Sequence, residues 1–343
     1  MKKVLTMMTC LLLILGLAAC GGKDSNAPSD SGSANETAPT EPALTAAEAP
    51  AQTASNVAEA AAGKTLVVYY SATNNTEAVA GYVAEAMGAD IAVLDAIGTG
   101  YRMIDTAAPY GNEEAVGRAI RRSGVCREDL FITSKLWVSD ASYDGAKRAF
   151  EASLARLGLE YLDLYLLHQP MGDYYGAYRA MEELYEQGLV RAIGVCNFYP
   201  HVLADFCETV EVIPTVNQVE LHPFFQQPEA LALMADYEVQ PEAWGPFAEG
   251  GHGIFTHPLL TEIGAKYGKS AAQVALRWNV QRGVAVIPKS VHRERMAQNR
   301  NIWDFELDEQ EMASIAELDI GHSEIVNHFD PAFVRALHGR VMK

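Results

Sequence analysis

Residues able to hold, move or attract protons stand at the ends of short apolar, β-rich runs. Asp105 closes Arg102–Asp105, with Tyr110 five positions later. Lys135 follows Phe131–Ser134, and His168 follows Asp163–Leu167. Side chains that bind polar or flat groups recur in the same way. Asn197 stands after Ala192–Val195, Gln218 near the end of Thr215–Val219, Trp244 after Val239–Ala243, and Lys289-Ser290 after Ala285–Ile287. A carboxylate, a phenol, an ammonium and an imidazole are the groups of general acid–base chemistry, so a ring of them implies proton transfer to a bound polar molecule. Taken singly, each has an ordinary explanation: a turn cap, a surface aromatic, a solvated charge, a loop histidine. Three of them at the ends of such runs, with Tyr110 in the loop after one, favour a shared site.

The elements that must position them alternate along the chain. With Leu66–Tyr70 the strand candidates number eight. Between them lie helix candidates 112–122, 142–157, 174–187, 200–207, 228–236 and 270–281, each with apolar residues three or four apart. This repetition of strand and helix predicts an α/β chain folded as a closed parallel (β/α)8 TIM barrel, whose functional residues sit at the C-terminal ends of its strands. No G-x-G-x-x-G follows the first strand, which argues against an open dinucleotide-binding sheet. The first unit is built differently from the rest. Leu66–Tyr70 runs into Ser71-Ala72-Thr73-Asn74-Asn75-Thr76, a turn and cap cluster, and a helix is expected over 77–87, stopping at Gly88.

The chain has 343 residues, 49% hydrophobic and 20% charged, which is enough apolar material for a large core. A formal charge of −18 without a long Lys/Arg run argues against a nucleic-acid footprint. Lys2 and Lys3 precede an apolar run over Leu11–Ala18 that is shorter than the roughly 20 residues of a membrane span, so residues 1–19 read as a targeting signal. Leu17-Ala18-Ala19-Cys20 resembles a bacterial lipobox, which implies lipidation of Cys20 and a protein held at the cell membrane, outside the cytoplasm. Residues 20–63, rich in Ala, Ser, Thr, Pro and Glu, have the composition of a solvated tether spanning roughly 35 to 40 Å. Cys126, Cys196 and Cys207 have no zinc-like spacing, so no metal site is expected.

Several spaced motifs over residues 96–334 carry a resemblance. Ile104-Asp105-Thr106-Ala107-Ala108-Pro109-Tyr110-Gly111-Asn112-Glu113, Thr133-Ser134-Lys135-Leu136-Trp137, Leu167-His168-Gln169-Pro170 and Ile287-Pro288-Lys289-Ser290 look like the signatures of the aldo-keto reductases. The resemblance implies NADPH-dependent reduction of a carbonyl by a tetrad of Asp105, Tyr110, Lys135 and His168. Hydride delivery to the carbonyl carbon leaves an oxyanion that must be protonated, and Tyr110 would be the acid. A phenol titrates near about 10, so the Lys135 cation would favour its ionisation, with Asp105 keeping that lysine charged.

By the same resemblance Asn197 and Gln218 would clamp the nicotinamide carboxamide. Trp244 would stack on the ring, followed by Gly245, Pro246 and Phe247. Lys289, Ser290 and Arg295 would grip the 2′-phosphate, and Gln298 and Asn299 would meet the adenine. Asp173-Tyr174-Tyr175-Gly176-Ala177 and Trp244-Gly245-Pro246-Phe247-Ala248-Glu249-Gly250 look like diketogluconate-reductase-type members. They imply a small polar carbonyl substrate, with Trp137, His168 and His222 lining its pocket.

Cys196 stands where the family more often has serine, a better hydrogen-bond donor. Before Ala96 the match stops. Residues 64–95 resemble instead the start of a flavodoxin, with a second strand at Ile91–Leu94, and are expected to stand in for the first barrel unit. A second reading follows from that replacement: a non-catalytic barrel lipoprotein that binds a nucleotide or a small carbonyl. A monomer is expected in either case.

Overall fold

The computed structural model describes residues 90–340, within the compact unit Pro50–Lys343, together with the backbone of residues 67–69. Eight parallel strands follow one another in chain order: β1 Val67–Tyr69, β2 Met103–Asp105, β3 Phe131–Leu136, β4 Leu164–Leu167, β5 Ile193–Cys196, β6 Val216–Glu220, β7 Gln240–Trp244 and β8 Ala285–Val286. β1 lies in register with β2, Val67 opposite Met103 and Tyr69 opposite Asp105. Among the described residues no ladder joins β8 back to β1.

The sheet curls strongly. β2 and β6 are four strands apart, about 19 Å in a flat sheet, yet the Gln218 amide of β6 reaches the Asp105 carboxylate of β2 at 3.0 Å. The two faces are occupied alternately, as the period of two requires. Leu164 and Leu166 of β4 turn inward to a small cluster with Ala192, Cys196 and Val216, whereas Tyr165 and Leu167 join the main core under the helices. Every residue of β4, β5 and β6 is buried, the pattern of a parallel sheet covered on both faces.

The helices have the termini that their sequences specify. α1, over 90–98, is followed by α2 Glu113–Ser123, with Glu113 and Glu114 in its first turn, Arg121 and Arg122 in its last, and Gly124 at φ 70° beyond. Ser142 caps α3 Tyr143–Leu157 by accepting from the Gly145 N–H at 3.1 Å. Then come α4 Tyr174–Glu186, α5 Pro200–Cys207, α6 Pro228–Asp236, α7 Pro258–Tyr267 and α8 Ala271–Gln281, the last with a Ser270–Gln273 capping box. α9 Arg293–Arg300, α10 Glu309–Ala316 and α11 Pro331–Gly339 follow as the last described helices. α7, α10 and α11 fall outside the helix candidates given by the sequence pattern.

One expected element is corrected. Ile91–Leu94 is not a strand but part of α1, whose Ala92, Val93, Ala96 and Ile97 pack into the main core while Ile91 stays 60% exposed. The boundary expected between residues 95 and 96 therefore falls inside a helix. The helix expected over 77–87, the tether and the lipidated Cys20 lie outside the described residues. No described helix is long and apolar enough to cross a membrane.

Candidate active site

The floor of the site is a buried polar cluster at the C-terminal ends of the inward-facing strands. Asp105 and Lys135 are 1% and 0% exposed and form an ion pair, with Lys135 Nζ also donating to the Thr106 carbonyl at 3.0 Å. Neighbouring strands dictate the pairing, since Asp105 ends β2 and Lys135 lies late in the adjoining β3. Two charges so deeply buried are tolerable only when paired and hydrogen-bonded. Burial pushes the Asp105 carboxyl above its ordinary range, and the Lys135 charge and the Lys135 and Gln218 hydrogen bonds pull it back.

Gln218 is committed on one side. Its Nε2 donates to Asp105 Oδ2 at 3.0 Å and to Glu242 Oε1 at 2.6 Å. Both amide hydrogens are thereby used, and only the carbonyl oxygen remains to meet a ligand.

Tyr110 comes from the loop after β2, held by the 3₁₀ turn Ala108–Tyr110 with Pro109 in its first turn and Gly111 at φ 66° ending it. Its hydroxyl is 3.4 Å from His168 Nε2, and Lys135 Nζ lies 5.3 Å from its ring centroid. Burial, followed by the charges of Lys135, Arg340 and His328, holds His168 well below the usual imidazole range, so it is neutral at neutral pH. Its Nδ1 is buried and has no hydrogen-bond partner. A buried lone pair left unpaired costs less than a buried N–H, so the proton belongs on Nε2, where it points towards the Tyr110 hydroxyl.

Above this floor opens a cavity of about 440 Å³, walled by Tyr110, Trp137, His168, Asn197, Gln218 and Trp244. Asn197 adopts the left-handed conformation at φ 62°, which asparagine tolerates better than most residues. That turn lets Nδ2 donate to the His168 carbonyl at 3.1 Å while Oδ1 accepts from Trp244 Nε1 at 2.9 Å. One donor and one acceptor position of the amide remain. Trp137 packs edge-on against His168, ring centroids 5.2 Å apart. Cys196 faces the inner cluster, and burial pushes its thiol well above the ordinary range.

A second cavity, of about 500 Å³, brings together Lys289, Ser290, Arg295, Gln298 and Asn299, with Phe247 on its wall. Gly245 borders the first cavity and Phe247 the second, so the stretch after β7 joins them. Pro246 lines neither. An ammonium and a guanidinium over one pocket, and amides beside an aromatic ring in the other, fit the phosphate and nicotinamide ends of a dinucleotide.

His222 is not brought to the site. It is 2% exposed, its Nε2 lies 3.0 Å from Glu220 Oε1, and its Nδ1 accepts from the Phe224 N–H at 3.2 Å, so it braces the loop after β6. Sequence reasoning also missed the wall supplied by the C-terminus. Phe333, Leu337 and Arg340 border the cavity, Arg340 Nη2 donates to the Pro109 carbonyl at 2.6 Å, and Trp137 Nε1 donates to the Arg340 carbonyl at 2.7 Å. The only local signals were an Asp330-Pro331 helix start and the Phe333/Leu337 spacing.

Residues 73–320 match the model of the aldo/keto reductase family, so the match begins ahead of Ala96, where the motifs alone had placed its start. The methylglyoxal reductase DkgA of Escherichia coli is 45% identical over 233 residues, which are 67% of this chain and 84% of DkgA. Among solved structures, an aldo-keto reductase of Bombyx mori in complex with NADP superposes with a TM-score of 0.71 at 32% identity, covering 77% of this chain and 91% of that one. A putative 2,5-diketo-D-gluconic acid reductase B gives 0.67 at 37% identity, over 71% and 87%.

Proposed function

The chain belongs to the aldo/keto reductase family, and on that premise we propose that it is an NADPH-dependent oxidoreductase reducing small aldehydes and ketones to alcohols, with Tyr110 as the general acid. The observation that carries this is the buried Asp105–Lys135 pair beneath a cavity into which Tyr110 and the Nε2 of His168 both face. When bound, NADPH supplies the hydride. Everything else is asked of the chain's own side chains.

His168 Nε2–H and the Tyr110 hydroxyl converge, so a carbonyl oxygen seated between them is polarised and held for the transfer. As negative charge builds on that oxygen, Tyr110 gives up its proton and becomes a phenolate. The Lys135 cation stabilises the phenolate, and Asp105 holds Lys135 in place. Asn197 and the Gln218 carbonyl oxygen would meet the nicotinamide carboxamide, Trp244 would pack on the ring, and Lys289, Ser290 and Arg295 would bind the 2′-phosphate. The cavity volume lies towards the small end of the range for ligand pockets. Together with the methylglyoxal and diketogluconate reductases among the similar proteins, this favours a short polar carbonyl.

The same reading takes the sheet to close into a barrel, with the flavodoxin-like stretch ahead of α1 supplying its first strand. It also takes the chain to be anchored through a lipid on Cys20, outside the cytoplasm. Retention of the full chain in the membrane fraction, and its release by Cys20→Ser, would support the anchor; an unchanged distribution would refute it.

The functional test is a tryptophan-fluorescence titration with NADPH and, separately, NADH. Saturable quenching, tighter for NADPH, followed by NADPH oxidation on adding methylglyoxal, is expected. Binding without turnover of any small carbonyl would favour the non-catalytic barrel instead.

A further inference from the structure

Glu242 is a charged residue in the middle of β7, 2% exposed, with its Cα opposite the apolar Ala285 of β8. Nothing in the proposed tetrad uses it. Yet it sits on the inward face with the tetrad's floor: its Oε1 accepts the Gln218 Nε2–H at 2.6 Å, and the same nitrogen serves Asp105 at 3.0 Å. The described titratable groups that its carboxyl meets electrostatically are Asp105 from β2, Lys135 from β3 and Cys196 from β5, and Gln218 from β6 is neutral. A lone buried cation therefore has two carboxyl groups to serve.

We propose that Glu242 is a positioning residue for the proton transfer at Tyr110, acting through the Gln218 amide that it shares with Asp105 to set how much of the Lys135 charge is left to stabilise the phenolate. The inference rests on the reductase function proposed above.

With Glu242 neutral, Asp105 and Lys135 balance, and a phenolate at Tyr110 is the second anion on one cation. With Glu242 ionised, it is the third. Burial, and next the Asp105 charge, push the Glu242 carboxyl up to about 7, against the Gln218 hydrogen bond and Lys135. Above that pH the extra anion opposes phenolate formation. Alcohol oxidation, which starts from the phenolate, reports this most directly.

The experiment compares the pH profile of NADP-dependent alcohol oxidation, as kcat/KM, in the wild type and in Glu242→Gln, which keeps the size and an oxygen acceptor for Gln218. The alkaline midpoint should fall by about one pH unit in the variant, since one charge has left a low-dielectric neighbourhood. Coincident midpoints in a folded variant would overturn the inference, whatever happens to its stability.

Should Glu242→Gln not fold, the wild type supplies a second readout. Its infrared difference spectrum between about pH 6 and pH 8 should show a buried carboxylic acid appearing on acidification. A spectrum without such a band overturns the inference equally. Absence of any turnover in the wild type would contradict the reductase reading itself, and the infrared band would still decide whether a buried acid titrates.

Discussion

Lys135→Met removes the cation that faces Asp105 across their buried pair while nearly preserving volume. In the wild type Asp105 Oδ2 is served by Gln218 and Oδ1 by Lys135, with both side chains fully buried. The variant keeps the Gln218 bond and strands Oδ1. Breaking a buried pair on one side costs about 3 to 5 kcal/mol, because the remaining charge stays desolvated. The chain can reduce this cost by protonating Asp105, a group that burial already pushes upward.

The sign follows. In the variant the folded-state value of Asp105 lies further above its unfolded value, so stability is fully present below the unfolded value and is lost as pH rises through the folded one. Urea denaturation at pH 5 and at pH 8 should therefore show a larger deficit, relative to wild type, at pH 8. Activity should fall by about 10² to 10⁴-fold, the range expected when a positioned acid loses its tuning. A deficit that is equal at both pH values, or a variant as stable as the wild type, would mean that Asp105 and Lys135 do not face each other as charges.

Glu242 gives a second linkage experiment. Its folded value of about 7 lies above the ordinary 4.5, so its contribution is lost as pH rises through that window. Glu242→Gln should remove up to about 3 kcal/mol of that decline, read as a smaller difference in unfolding free energy between pH 5 and pH 8. If Lys289 and Arg295 bind the 2′-phosphate as proposed, replacing both by alanine should weaken NADPH binding by about tenfold or more and leave NADH nearly unchanged; equal loss for both cofactors in the fluorescence titration would refute the placement. Gly194→Ala puts a methyl 2.5 Å from the Val216 carbonyl oxygen and 2.8 Å from Leu166 Cδ2, and should cost about 1 to 3 kcal/mol in thermal denaturation.

Strands such as β3, β4 and β5 were legible as short, mostly apolar runs between turn signals, and Asp105, Lys135 and His168 drew attention because they stand at or just beyond such runs, with Tyr110 in the loop after one of them. α1 was misread for a local reason: Ile91-Ala92-Val93-Leu94 is four apolar residues, too short a run for its period to declare itself. Only the burial of Ala92, Val93, Ala96 and Ile97 against an exposed Ile91 shows the helix. His222 sits two residues beyond the end of β6, near enough in sequence to suggest the cavity, but it folds back onto Glu220. Glu242 was invisible because a charge within a strand reads as outward-facing, and its meeting with Asp105 through Gln218 exists only once the sheet has curled. The same holds for Arg340, whose partners Pro109 and Trp137 are about 200 residues away in sequence.

If Tyr110 is the acid of a carbonyl reduction, its hydroxyl and not its ring carries the proton transfer. Tyr110→Phe removes one hydroxyl and keeps the ring between His168 and Lys135. The decisive measurement is NADPH oxidation with methylglyoxal in this variant, alongside NADPH binding by tryptophan fluorescence. Binding within about twofold of wild type with turnover reduced by at least about 10²-fold is the predicted result. Turnover close to wild type, with binding intact, would contradict the account.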